Sequence, residues 1–489
     1  MVNGMKFDLY YTMKKSQPLL LVIALSLAFM ACGQQGPILK PEADSYQIDH
    51  NKNIIVLNID AIDDITASLT TLQLEEEYKF ETATDGLTNT ERYQVENSQG
   101  TTYQLFVTKS PILAIQVKDS LTKHPKVLGH FRYYDADTTF TSTIGMDLRG
   151  NLSLTYPKKS FNIEFYTDSV SKGKKEVDFK DLRKEDDWIL DGLYNEPLLL
   201  RAYTSQKLWK DIHTPWYAEE EPKARATVDG FYVDLFVNNE YRGVYLLSEK
   251  IKRSLLKLKK FKGDTVRGEL FKAGYYDPGT SFKVAPDFKN SLPTWAGWEM
   301  EYPYEDYTAH YNNLHEAITF VASSNDSAFE QKLPTYFNVD NLVDYFLFIN
   351  TIRATDNLGK NFYLAKYNTD TPYFIVPWDM DGVLGTIQAG KRIPTTDDIL
   401  SNNLFNRMLE NKNLKNKMNQ RWQELRAGAF QSESLAMRIE KRYQKLASTK
   451  MYERDALAWD INHDAEHLEY MLDWLKKRLT YLDTYFTEK

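Results

Sequence analysis

Between Thr355 and Gly385 the chain reads TDNLGKNFYLAKYNTDTPYFIVPWDMDGVLG. Its two apolar runs are separated by a polar turn, which spells a short β-hairpin. A hairpin returns its far end to where it began, and here both ends are polar. Asp356, Lys360 and Asn361 precede the first strand, and Asp379 and Asp381 follow the second. Ahead of them Leu342, Phe346, Ile349 and Ile352 form a helical apolar stripe, with Asn338 placed to cap it. Helix, loop, hairpin and acidic turn in that order constrain the fold more than any other stretch.

With 489 residues, 42% hydrophobic and 13% aromatic, the chain can bury a large core and form more than one domain. Its formal net charge of -8 provides no overall basic field for nucleic acid, so DNA and RNA are set aside as partners.

The single cysteine, Cys32, has an informative position. Lys14 and Lys15 precede an apolar run from Pro18 to Ala31, too short to be a comfortable membrane span, and Gly33 follows the thiol. The pattern resembles a bacterial lipoprotein signal, with Phe29 where leucine is usual. We therefore expect a signal peptide over 1–31, a lipid on Cys32 and an exported protein facing the periplasm or the cell surface. An ordinary signal, or a membrane helix that contains a thiol, is the alternative. After cleavage and lipidation no thiol would be free for a disulfide.

The polar, proline-containing stretch 32–46 reads as a tether. NIIVLNI, ERYQVENS, TYQLFVT and PILAIQV are short β-rich runs and mark an accessory domain over 47–135. The main domain, 136–489, divides into 136–335 and 336–489. The first part has a strand alternating at Phe161, Ile163 and Phe165, a helix across EPLLLRAYTSQKLWKDI and a hairpin turning at Asn238 and Asn239. The second part holds the quoted loop and a helical region that closes with HLEYMLDWLKKRLTYLDTYF, whose large side chains read as core.

Asp356 and Asn361 stand in D-x4-N spacing, and the hairpin brings Asp379 back to them. Protein kinases use such a set: one aspartate orients the acceptor hydroxyl, while an asparagine and a second aspartate hold magnesium. Magnesium takes hard oxygen ligands and keeps waters, so few protein ligands suffice. The plainer alternative has Asp356 and Asn361 capping and turning the chain, with Asp379 and Asp381 in Asx-turns.

LRGNLSLTYPKKSFNIEF, LLLRAYTSQKL, YRGVYLLSEKI, GELFKAG, NLGKNFYLAK and PWDMDGVLG are similar to successive blocks of the CotH kinase family, from about Pro111 to the C-terminus. The resemblance implies an α+β, atypical protein-kinase-like two-lobed fold, behind a β-rich accessory domain and with a helical C-terminal region. It also implies transfer of phosphate from ATP, with Mg2+ or Mn2+, to serine or threonine hydroxyls of a protein substrate. On this resemblance Asp356 is the catalytic aspartate, Asn361 the neighbouring asparagine, Asp379 the magnesium aspartate and Asp381 the second acid of that motif.

Lys360 would add positive charge at the transferring phosphoryl group. Arg149, Gly150 and Asn151 would bring a backbone turn to phosphate. Of Lys158 and Lys159 only one can face inward, and parity with Phe161, Ile163 and Phe165 selects Lys159. Arg201 would support the phosphate side through an ion pair. Glu249 would sit at the adenine side or start a helix. The chain departs from many family members at Leu152, in place of the first serine of RGNSS, and at Ala202, in place of the asparagine of LRN.

Two other functions compete with this one, and of them a binding protein has no need of Asp356, Asn361 and Asp379 together. A non-catalytic adhesion or assembly protein can be built on the same fold, because fold does not fix chemistry. A metal-dependent hydrolase can use Asp379 and Asp381, which point the same way if the chain there is extended. The absence of a histidine cluster or an HExxH motif ranks the hydrolase last. Beyond the protein substrate and a membrane reached through Cys32, the sequence names no partner or oligomeric state.

Overall fold

In a computed structural model, residues 37–59, 68–304 and 308–487 are described. The expected signal peptide and Cys32 lie outside them. Strict alternation sets the first sheet: in Arg92–Asn97, Tyr93, Val95 and Asn97 are buried while Arg92, Gln94 and Glu96 are exposed. This strand is β6 of seven. The others are β1 (Ile38–Leu39), β2 (Tyr46–Asp49), β3 (Ile54–Asn58), β4 (Leu69–Gln73), β5 (Glu77–Thr84) and β7 (Thr102–Thr108), in the order β1-β4-β5-β6-β7-β3-β2. β1 falls inside the expected tether and pairs with β4, so that stretch is partly built into the sheet.

The next strands close a barrel. They are β8 (Ile112–Val117), β9 (Val127–Tyr134), β10 (Thr139–Arg149), β11 (Ser160–Tyr166), β12 (Asp187–Asp191), β13 (Gly230–Val237) and β14 (Glu240–Ser248), ordered β10-β11-β12-β14-β13-β8-β9. Phe131, Ile163, Phe165, Trp188 and Leu235 help fill it. β13 and β14 turn at Asn238 and Asn239, with φ of 52° and 62°, the left-handed pair that a tight hairpin needs. β8 and β9 correct the expected boundary at 135, because the sheets change at 109–111. The parallel pairing of β8 with β13, Ile112 opposite Asp234, makes β8 part of the barrel, and no local pattern reveals a contact that distant in sequence.

A third sheet carries the opening motif. β15 (Glu269–Ala273), β16 (Thr294–Trp295), β17 (Trp298–Tyr302), β18 (Phe362–Lys366) and β19 (Tyr373–Pro377) are ordered β16-β17-β15-β18-β19. Because β15 pairs with β18, the expected division at 335 runs through one sheet.

The helices are α1 (Arg201–Ile212), α2 (Arg253–Leu256), α3 (Asn312–Ser323), α4 (Asp326–Tyr336), α5 (Val339–Ile352), α6 (Asn403–Glu410), α7 (Lys412–Ala427), α8 (Ser432–Ser448), α9 (Met451–Trp459) and α10 (Glu466–Thr487). With the three sheets of the described residues they make the fold α+β, β-rich at the start and helical at the end. The Asn338 side chain caps α5 by accepting from the Asn341 N–H at 2.8 Å. α5 is buried on every side from Asn341 to Ile352, which makes it the central core helix. α10 buries Met471, Trp474, Leu475, Leu479 and Leu482 as core. α1 starts only at Arg201, after Leu198, Leu199 and Leu200 insert into the core and Leu199 takes a φ of 54°. No helix among the described residues is long and apolar enough to cross a membrane.

A buried ionic network joins these modules. Arg454 of α9 donates through Nε to Asp234 Oδ1 at 2.9 Å and through Nη2 to Oδ2 at 3.1 Å. The same carboxylate accepts from the Thr108 hydroxyl of β7 at 3.2 Å and the Tyr241 hydroxyl of β14 at 2.7 Å. Beside it Asp455 accepts from Lys158 Nζ at 2.6 Å and from the Val244 N–H at 2.8 Å. The side chains of both ion pairs are fully enclosed. Removing one partner would leave a buried charge unpaired, so Arg454→Ala should cost about 3–5 kcal/mol of stability. The exposed pair of Arg438 with Asp211 sets the comparison, and Arg438→Ala should lose about 0–1 kcal/mol. Urea unfolding of both variants measures the difference, and equal losses would remove the network's structural role.

Candidate active site

The register of β18 and β19 places Phe362 opposite Pro377, so Asn361 and Trp378 leave the hairpin side by side. The Trp378 N–H donates to the Asn361 carbonyl at 3.2 Å. The buried Asn357 closes this junction: its side-chain amide donates to the carbonyls of Asn361 and Trp378 at 2.5 and 2.7 Å. Asn361 and Asp379 both take left-handed backbone conformations, with φ of 59° and 60°. Asparagine and aspartate adopt that region more readily than other side chains. Asp379 is thus not on extended chain, which corrects the geometric premise of the hydrolase reading: position two apart does not align it with Asp381.

Asp356 lies in a short 3-10 turn, Thr355–Leu358, after α5. Its Oδ2 pairs with Lys360 Nζ at 2.8 Å, and its Oδ1 accepts from the side-chain amide of Gln388. Among the described residues the Asn361 side chain makes no hydrogen bond, while its N–H donates to the Ala273 carbonyl of β15 at 2.9 Å. Asp381 accepts from Asn195 Nδ2 at 2.7 Å.

Asp379 is exposed at the mouth of the site. Packing of protein atoms around its carboxyl nevertheless pushes it up to about 7, with Asp381, Asp191 and Asp356 adding in the same sense and Arg149 opposing. Burial also raises the Asp381 carboxyl; the Asn195 hydrogen bond works against this and Asp191 works with it. Asp191, at the end of β12, accepts from the Ser160 hydroxyl at 3.0 Å. The site therefore holds an excess of carboxylate charge.

The upstream residues divide. Arg149, at the end of β10, stacks its guanidinium 5.2 Å from the Trp378 ring centroid and faces Asp379 electrostatically. Gly150 follows with a φ of 102°, and a side chain there would run into Ser153 Oγ. Asn151 is exposed and accepts from Lys123 Nζ at 2.7 Å. The choice between the lysines is reversed. Lys158 is the enclosed one, paired with Asp455, whereas Lys159 is half-buried and donates to the Leu154 carbonyl at 2.6 Å. Both precede the first β11 residue, so strand parity does not extend to them.

Arg201 is buried and its side chain reaches the backbone of the acidic turn, donating from Nε to the Val383 carbonyl at 3.1 Å, while the Glu196 carboxylate accepts from the Arg201 N–H. Glu249 is buried between Arg225 at 3.1 Å and Arg183 at 3.4 Å, and it also accepts from the Asp229 N–H. It does not start a helix, since α2 begins at Arg253, and none of its contacts is with the residues gathered at Asp379.

The donors present suit a hard divalent cation. Asn361, Asp379 and Asp381 offer oxygens, and the crowded, raised carboxyls are what such an ion relieves. Among the described residues no three His, Cys, Asp or Glu side chains are grouped to hold a metal by themselves. Asn357, Asp191, Asn195 and Gln388 escaped the sequence reading. Asn357 sits within the motif itself and adjoins Asp356; the other three come from separate elements and share no spacing with it.

The family model described as CotH kinase protein matches residues 146–482. Inner spore coat protein H of Bacillus subtilis (strain 168) is 22% identical over 253 residues, which cover 51% of this chain and 61% of that protein. The chain thus spans less than two thirds of that relative's length. The family match runs from within β10 to within α10 and includes the junction at Asn357 and both acidic ends of the hairpin. The chain belongs to the CotH kinase protein family.

Proposed function

We propose that the protein is an atypical, two-lobed protein kinase that moves the γ-phosphate of ATP to serine or threonine hydroxyls of exported proteins, anchored to the membrane by a lipid on Cys32. The observation that carries this reading is the Asn357 junction, which sets Asp379 beside the loop of Asp356 and Asn361. A structural loop has no need to hold so many acids against one another, whereas a phosphoryl-transfer site does.

In this mechanism Asp356 orients the acceptor hydroxyl and takes up its proton as the new P–O bond forms and the bond from the γ-phosphorus to the β–γ bridging oxygen breaks, ADP leaving with that oxygen. Displacement of the Gln388 amide would free the carboxylate oxygen for that hydroxyl. Asn361, Asp379 and Asp381 would hold Mg2+ or Mn2+, which supplies positive charge against the phosphates when bound. Lys360 and Arg149 add further positive charge at the same place. Asn195 and Arg201 hold the turn that carries Asp381.

Three outcomes follow. The full chain should transfer labelled γ-phosphate to itself or to a generic acceptor with Mg2+ or Mn2+, and Asp379→Ala and Asp356→Ala should each lower the rate by about 100-fold or more. Silence in all three, with no nucleotide binding, would favour a non-catalytic binding protein. Mn2+ affinity, read by calorimetry without nucleotide, should weaken as pH falls below about 7, because the Asp379 carboxyl must lose its proton to bind. A flat profile would contradict that crowding. Cys32→Ser should move the protein from the membrane fraction to the soluble fraction and remove a lipid mass from the mature N-terminus.

A further inference from the structure

Tyr276 lies in the connector between β15 and β16 and is 52% exposed, a poor position from which to contribute to the core. Its contacts concentrate on one loop. Its hydroxyl donates to the Thr355 carbonyl at 2.6 Å, one residue before Asp356. Its ring lies against Gly359, where an added Cβ would stand 2.6 Å from the ring edge. The Lys360 ammonium is 5.7 Å from the ring centroid and at the same time pairs with Asp356 at 2.8 Å. One side chain therefore touches the start and the end of the loop that carries Asp356.

The tyrosine is itself held firmly. The buried Thr280 hydroxyl donates to the Tyr275 carbonyl at 3.2 Å and accepts from the Asp277 N–H at 3.0 Å. On the other side, the bond from the Asn361 N–H to Ala273 ties the loop's end to the strand from which the connector leaves. The Thr355–Asn361 segment is thus fixed to β15 and its connector at both ends, and Tyr276 supplies the attachment nearest Asp356.

We propose that Tyr276 is a positioning residue for phosphoryl transfer: it holds the Thr355–Lys360 loop so that the Lys360 ammonium stays beside the Asp356 carboxylate. This role rests on the kinase reading. A misplacement of about 1 Å at a reacting group is enough to slow a step about 100-fold, so a clamp on this loop acts on turnover more than on nucleotide binding.

The test uses the full chain with Tyr276→Phe, which removes only the hydroxyl, and Tyr276→Ala, which removes the clamp. Amide hydrogen exchange in 355–361 should quicken in both variants, more in Tyr276→Ala, with exchange elsewhere unchanged. For transfer, kcat should fall about 100-fold in Tyr276→Ala and about tenfold in Tyr276→Phe, while the KM for ATP changes less than about twofold. Gly359→Ala, which drives the ring away, should resemble Tyr276→Ala. Unchanged kcat in Tyr276→Ala would overturn the role and leave the kinase reading standing. Faster exchange throughout the chain, or a loss carried by KM alone, would also overturn it. A wild-type chain that transfers nothing would take this role down together with the kinase reading.

Discussion

The Asp234 carboxylate is the point on which the separate parts of this molecule converge. It accepts from Thr108 of the first sheet, Tyr241 of the barrel and Arg454 of a C-terminal helix, all away from water. Desolvating two charges is expensive, and the pair is tolerated because these hydrogen bonds satisfy the carboxylate. An apolar contact can slide, whereas this arrangement has one geometry. Ile54, Val56 and Phe106 of the sheet pack with Ile112, Phe236 and Tyr241 of the barrel around the same place, so burial supports what the charges orient.

Fixed in this way, the barrel presents Arg149 and Asp191 at its strand ends to the acidic turn, while Asn195 ahead of α1 and Arg201 at its first position reach the same turn. The third sheet supplies the other half, through the hairpin and Asn357. The family match begins inside β10, yet the barrel closes only with β8 and β9, which precede the matched region. The upstream strands are therefore structural parts of the unit that bears the site.

Much of this was legible in local patterns. Asn338 caps its helix, Asn238 and Asn239 make the turn, and the quoted hairpin forms where its apolar runs lie. These features depend on residues close in sequence, where periodicity and turn chemistry operate. What depends on distant pairing was not legible. The strands up to 135 read as one domain in sequence because β8 meets β13 only in three dimensions. Strand parity favours Lys159 over Lys158, but both lie before the start of β11, where the chain does not alternate, and Lys158 is the one enclosed. Within the site the motif residues could be named, but Asp191, Asn195 and Gln388 arrive from elements that no spacing rule connects to it.

The left-handed backbones of Asn361 and Asp379 bear on how such a site changes over evolutionary time. Under the proposed kinase reading each residue serves twice, once through its oxygen and once through a conformation that a β-branched side chain would strain. Asparagine or glycine at 379 would keep the turn and remove the charge. On that reading a descendant could lose the proposed chemistry in a single step while the junction around it stayed intact, so the shape of this corner is a more durable inheritance than any activity it carries.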